Sequence, residues 1–281
     1  MDFKKGFTIK PKAVNSVGEV IFTDGTNDVV ANQRTCEAYG YTFNATKGTC
    51  EAFIYNTKIN RTSNDVHNII KGANNTTNEG TETTFVLGKG NTTFGDNLNS
   101  IITGEKNEIE LGINNAAVIS GSLGRAMNQG EFIMAGGGFG NISGSAQTSF
   151  IQQSGNTEDN TETLLYTQYI TNKYIEKVPN AILGFEAHVI GVNTGVGVGT
   201  AGEYGYFKLT GGVKFTNGLA SYYHVDVHAV VPHGHSGLNL TGTMKDASAT
   251  SFGVAVTGLA ETYIQWTASI KLWTNKIQQT F

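Results

Sequence analysis

Little in this chain is charged, and proline is almost absent. Charged residues make up 15%, against about a quarter in an average domain, and there are three prolines in 281 residues. No window approaches 18 apolar residues, so no helical membrane span and no membrane insertion are expected. The N-terminus, MDFKKGFTIKPK, has no apolar core of the kind a secretory signal needs, and none is expected. A net charge of -4 leaves no basic footprint, so nucleic acid is not expected as a partner. No helix longer than one or two turns is indicated, although 164–178 is ambiguous. GxSxG, HExxH and a phosphate loop are all missing, and no enzyme is expected.

Glycine is abundant, at 36 residues, and 39% of the chain is apolar. That excludes a disordered chain and suits an all-β protein with many tight turns. Cysteine numbers two, Cys36 and Cys50, inside a near-duplicate, TCEAYGYTF…TCEAF. Unpaired thiols on adjacent strands, a disulfide and half of a metal site all stay open. Within residues 1–60, GEVIFTDGTNDVVANQ reads as strand, Asp24-Gly25 turn and strand. CEAYGYTFNATKGTCEAFIYN reads as a hairpin around Asn44–Gly48. NRTSNDVH (60–67) is a polar linker.

An internal repeat follows: NIIKG, TFVLG, SIITG, AVISG and FIMAG. Their glycines, Gly72, Gly88, Gly104, Gly121 and Gly136, are separated by 16, 16, 17 and 15 residues. Secondary glycines fall near the half-period. A period near 16 split in two reads as a β-coil of about five turns with two short strands per turn, glycine and asparagine supplying the corners. Counting back from each glycine, Ile69, Phe85, Ile101, Val118 and Ile133 stand third, and Ile70, Val86, Ile102, Ile119 and Met134 second. Neighbours on a strand face opposite ways, so both faces are apolar. One face can fill the coil. The other needs a cover, either sister chains packed about an axis or the chain's own residues 143–180.

After a polar break at 154–163 come alternating runs: 184–192, 204–215, 220–231, 236–244, 251–259 and 263–273. Six or more strands at this spacing indicate a β-sandwich or jelly roll. The expected organisation is therefore 1–60, a small β module; 61–150, a coiled shaft; and 151–281, a β-sandwich.

The repeat resembles the β-roll heads of trimeric bacterial adhesins and the coiled β-repeats of bacteriophage fibres. The stretches GSAQTSFIQQS, TETLLY, ILGFEAHVIGV, AGEYGYFKLTGGVK and VTGLAETYIQWTASIKL resemble a module at the ends of phage tail and fibre proteins. The resemblance implies a homotrimeric virion appendage, assembled in the host cytoplasm and released by lysis. Residues 1–60 would join other virion proteins, and the sandwich would face a host-surface glycan or protein. A connector or decoration protein of the head or tail is the structural alternative, and a bacterial adhesin a further one.

Four of six histidines lie in YYHVDVHAVVPHGHSG (222–237). His224, Asp226 and His228 share one strand face and could present two imidazoles and a carboxylate to a transition metal. In trimeric phage fibres HxH pairs meet on the axis around one ion. The resemblance thus assigns His233 and His235 as ligands to an axial iron or zinc. The plainer reading is a solvent-facing strand and a surface turn. Tyr206 and Tyr223 are the candidate receptor contacts, within a set of aromatics that includes Tyr204, Tyr222, Trp266 and Trp273; Trp266 is expected in the core. The repeat acids Glu79, Glu82, Asp96, Glu105, Glu108, Glu110 and Glu131 could hold a glycosidase pair, but solvation alone accounts for them. The sequons at Asn44, Asn60, Asn75, Asn91, Asn141 and Asn239 are expected to carry nothing.

Overall fold

A computed structural model describes residues 3–52, 67–119, 121–135, 138–230 and 240–276. The chain forms two compact units, residues 1–57 and 58–281. Nearly all regular structure is strand.

In the first unit, β1 (Lys10–Val14), β2 (Val20–Thr23) and β3 (Asp28–Val29) form an antiparallel sheet. The turn between β2 and β3 is set by Asp24, whose Oδ1 accepts from the backbone N–H of Thr26 and Asn27 at 2.8 and 2.7 Å, an Asx arrangement. A short helix, α1 (Gln33–Ala38), follows, with Asn32 as its N-cap. The hairpin of β4 (Thr42–Asn44) and β5 (Thr49–Glu51) stands where the sequence predicts it. Cys36 lies on α1 and not on a strand, so the arrangement of two thiols on neighbouring strands does not occur. Helix and hairpin instead bring the two Cα atoms to 5.6 Å, and the cysteines form a disulfide. It lies in a core with Val20 and Phe22.

The second unit begins as a β-solenoid. Its turns are β6 (Ile69–Ala73) with β7 (Thr76–Thr77), β8 (Phe85–Lys89) with β9 (Thr92–Thr93), β10 (Ile101–Glu105) with β11 (Glu108–Ile109), and β12 (Ala117–Ile119) with β13 (Arg125–Ala126). The first strand of each turn pairs in parallel with those above and below, and the second strands form a parallel sheet of their own. Four turns close. The expected fifth does not, because β14 (Phe132–Ala135) pairs on its far side with an antiparallel strand.

Glycine makes this stacking possible. Gly88 has φ +125°, and a Cβ built there would lie 2.0 Å from the Gly104 carbonyl oxygen of the next turn. Asparagine holds the corners. Asn75, Asn91 and Asn107 recur every 16 residues and are buried. The Asn91 side-chain amide donates to the carbonyls of Leu87 and Gly104, at 3.2 and 2.9 Å. Its oxygen accepts from the Asn107 backbone N–H at 3.0 Å. Asn75 serves Asn91 in the same way. Each amide thus satisfies backbone groups that a corner would leave orphaned. The sequons at Asn75 and Asn91 have no free side chain to offer.

Strand register corrects the count made back from the glycines. Ile102 pairs with Val118 and Val118 with Ile133. The 17-residue step before Gly121 slips the count by one, so Val118 and Ile133 join the row of Ile70, Val86 and Ile102 inside the coil. Val86, Ile102, Val118 and Ile133 are fully buried. The outward row is Ile69, Phe85, Ile101, Ala117 and Phe132, with Leu87, Ile119 and Met134 beside it. Ile69 is 52% exposed, Ile101 43% and Met134 56%.

The remaining strands are β15 (Ala146–Thr157), β16 (Glu162–Leu164), β17 (Tyr166–Thr167), β18 (Ile175–Glu176), β19 (Ala181–Gly197), β20 (Tyr204–Phe215), β21 (Ser221–Val230), β22 (Thr241–Asp246), β23 (Ser251–Thr257) and β24 (Thr262–Lys276). The ambiguous stretch 164–178 is strand and turn. β15 extends the solenoid sheet edgewise, and the sheet runs on as β15-β24-β19-β20-β21. Residues 143–180 therefore do not cover the outward row. A second sheet, β16-β23-β18 with β22, faces the first across a core that includes Phe185, Phe207, Phe252 and Trp266. The rings of Phe215 and Phe252 stand 5.2 Å apart.

Glu131 closes the last turn. It is buried, and one carboxylate oxygen accepts from the backbone N–H of Met127 and Asn128 and from the Asn128 side chain, at 2.8, 3.0 and 3.0 Å. Burial raises its carboxyl above the ordinary 4.5, against the pull of these bonds and one from Ser149.

Two predictions follow from this architecture. Asn91→Ala leaves two carbonyls and one N–H unpaired inside the solenoid and should cost about 2 kcal/mol or more, measured by denaturant unfolding; unchanged stability would remove the ladder from the account. Glu131 binds its proton more tightly folded than unfolded, so its contribution to stability is fully present below pH 4.5 and is lost as pH rises through the raised value. Glu131→Gln keeps an acceptor and should flatten the fall in melting temperature as pH rises above 4.5. An equal slope in both proteins would show the carboxyl to be unperturbed.

Candidate functional site

The long sheet presents one continuous outward face, and its chemistry changes along the strand order. Over the solenoid it is the apolar row. Beyond β15 it becomes mixed, with charged side chains set among exposed Ile182, Ile190 and Trp273, because even-numbered positions of β15, β19, β20 and β21 and odd-numbered positions of β24 point out. Register brings Phe150, Lys271 and Glu186 into one line across β15, β24 and β19. Gln152, Ser269, His188 and Lys208 form the next line.

Glu186 is the hub. Its Oε1 accepts from Lys208 Nζ at 2.9 Å and lies 2.8 Å from His188 Nε2. These bonds, Lys208's first, hold its carboxyl below the usual range. His188 Nδ1 reaches Tyr206 Oη at 2.5 Å, and the two rings stack at 5.9 Å. Lys271 stands over the rings of Phe150 and Trp273, at 5.6 and 4.8 Å, within cation–π range. A concavity of about 420 Å³ opens here, lined by Phe150, Gln152, Glu186, His188, Ser269 and Lys271 among others.

The candidates from sequence are scattered across this architecture. Tyr206 is on the outward face, in the relay with His188 and Glu186. Tyr223 pairs with buried Val213 and faces the other way, packed on Phe215 with its hydroxyl bonded to Asp246. The two tyrosines therefore do not share a platform. Asp246 also receives Lys177 Nζ at 2.9 Å; that lysine side chain is 1% exposed and also donates to the carbonyls of Ala249 and Leu219. Trp266 is in the core, with its indole N–H on Thr157. Tyr222, Tyr204 and Trp273 are exposed.

His224, Asp226 and His228 do share the outward face of β21. A strand rises about 3.3 Å per residue, so the two histidines stand about 13 Å apart along it, too far to meet on one ion. His224 Nε2 lies 3.5 Å from Asp226 Oδ2, while His228 turns to Thr210 Oγ1 at 3.3 Å. Among the described residues no three His, Cys, Asp or Glu side chains converge as metal ligands would. His233 and His235 lie outside the described residues. Among the repeat acids, Arg125 bridges Glu108 and Glu110, with Nε 2.6 Å from Glu110 Oε1, and Lys89 lies 3.8 Å from Glu105. Among the described residues, no helix is long and apolar enough to cross a membrane.

Glu186, His188, Lys208, Phe150 and Lys271 are not among the sequence candidates. Alternation in GFEAHVIGV and YFKLT places the charged ones on a polar face. Their convergence depends on which strands pair, and a linear reading does not contain that.

No protein-family model matches the chain, and no curated protein does. Among solved structures, it is similar to the tailspike protein of Acinetobacter baumannii phage AM24, with TM-score 0.26 and 10% identity over 76% of this chain and 50% of that one. It is also similar to the tailspike of Acinetobacter phage vB_ApiP_P1, with TM-score 0.20 and 8% identity over 74% of this chain and 47% of that one. The chain spans about half the length of each. Both likenesses are faint, and both are to phage tailspikes.

Proposed function

We propose that the chain is a virion structural protein, the subunit of a homotrimeric phage tail fibre or spike. Residues 1–60 dock on the particle, the solenoid is the shaft, and the C-terminal β-sandwich presents a face to the host surface. The carrying observation is the outward row of the solenoid. Ile69, Phe85, Leu87, Ile101, Phe132 and Met134 form a stripe that the strands of the second unit leave largely uncovered. A monomer in water would carry it at a cost in solubility. Parallel copies around an axis bury one stripe per chain and close the assembly. A solenoid is stiff along its axis, because every turn bonds to the next through backbone, and stiffness is what a shaft needs. The host-facing role rests on the concavity over β15, β24 and β19, a largely apolar hollow with Gln152, Glu186, His188, Ser269 and Lys271 in its lining, the mixture expected of a ligand site.

Light scattering of the full chain should give about three times its 30.0 kDa. Ile101→Glu places a charge mid-stripe and should yield a folded monomer, since the residue does not enter the solenoid core. A monomeric parent chain would overturn the proposal. If the trimer forms but neither binds host cells nor competes with particle adsorption, the chain is a connector or decoration protein and the receptor role is withdrawn.

A further inference from the structure

We propose that the concavity over β15, β24 and β19 binds a saccharide bearing a carboxylate, with Lys271 as its anion contact. This deepens the attachment reading above and rests on it. The charge pattern carries it. Glu186 is the direct cross-strand neighbour of Lys271, yet its carboxylate is engaged by Lys208 and His188. Among the described residues Lys271 has no acidic partner. It stands over two aromatic rings, which orient an ammonium group without neutralising it. Lys208 answers Glu186, so the positive charge of Lys271 is left over in the lining of the concavity. That suits a monoanion. Glu186, in the same lining, would repel a second negative charge such as a phosphate monoester carries.

The other lining groups fit a sugar ring better than a bare anion. Phe150 gives an apolar surface for a pyranose C–H face. Gln152 and Ser269 flank it on the next line of the sheet and offer an amide and a hydroxyl to ring hydroxyls. Glu186 has a second oxygen, and it can accept. The volume, about 420 Å³, is within the range of about 300–1,000 Å³ of small-ligand sites.

The test uses the full chain and two probes, tri-galacturonate and its carboxyl-reduced neutral counterpart, titrated calorimetrically. The acidic probe should bind, and the neutral one about tenfold or more weaker. Lys271→Ala should lose that preference with its melting temperature unchanged, and Lys271→Arg should keep it. Equal binding of the two probes overturns the proposal, and so does binding untouched by Lys271→Ala. Absence of binding by the assembled chain, as when a sister copy seals the concavity, overturns it too. Host-cell adsorption, measured on the same preparations, separates this inference from its parent. Cells bound equally well by Lys271→Ala leave attachment standing and remove the acidic-sugar site. Cells not bound by the parent chain remove attachment itself.

Discussion

In-register stacking of one turn of backbone on the next is the constraint on which the second unit depends. Parallel strands of a solenoid bond to their neighbours through evenly spaced amides, and any corner that drifts would break every ladder beyond it. Two devices prevent the drift. Glycines such as Gly88 take a positive φ where a Cβ would strike the next turn. Asparagines 16 residues apart tie each corner to the one above and below. The interior between the two sheets is thin, filled by Val86, Ile102, Ile109, Val118 and Ile133. Buried side-chain amides therefore hold the coil together alongside apolar contact.

Register also decides what the outer surface is. Because the turns superpose, an apolar residue placed once on the outward face becomes a stripe. At β14 the coil gives way to an antiparallel neighbour, and the same sheet continues through the C-terminal strands. One sheet thus carries two chemistries: apolar over the coil, and a mixture of charged, aromatic and aliphatic side chains beyond it. In the proposed assembly the first region meets sister copies and the second meets ligand.

The coil was legible from residue types alone. Glycine at near-constant intervals, with an apolar doublet ahead of it, specifies a corner and a two-faced strand. The asparagine ladder was equally visible in the spacing of Asn75, Asn91 and Asn107, but asparagine as a generic turn former hides its role as a repeated buried donor. Where the 17-residue step intervenes, glycine is a poor ruler. Val118 and Ile133 are placed by hydrogen bonding to their neighbours, not by distance to the next corner. In the first unit, the duplicated TCEA segments suggested two like strands. Asn32 caps one of them as a helix, and helix and hairpin together bring the two cysteines into bonding range. The site beyond β15 was the least legible part. Its members come from strands as far apart in sequence as Phe150 and Lys271, and only pairing order brings them to one place. The histidines of β21 show the converse: alternation places them on one face, and the extended strand spreads them along it.

The central claim is that the outward row of the solenoid is buried between copies in solution. Met134, 56% exposed in the single chain, reports on it directly. In hydroxyl-radical footprinting of the intact protein, its oxidation should be suppressed to the level of Met244, which is buried in the core. Oxidation of Met134 as fast as in the denatured chain would contradict the account.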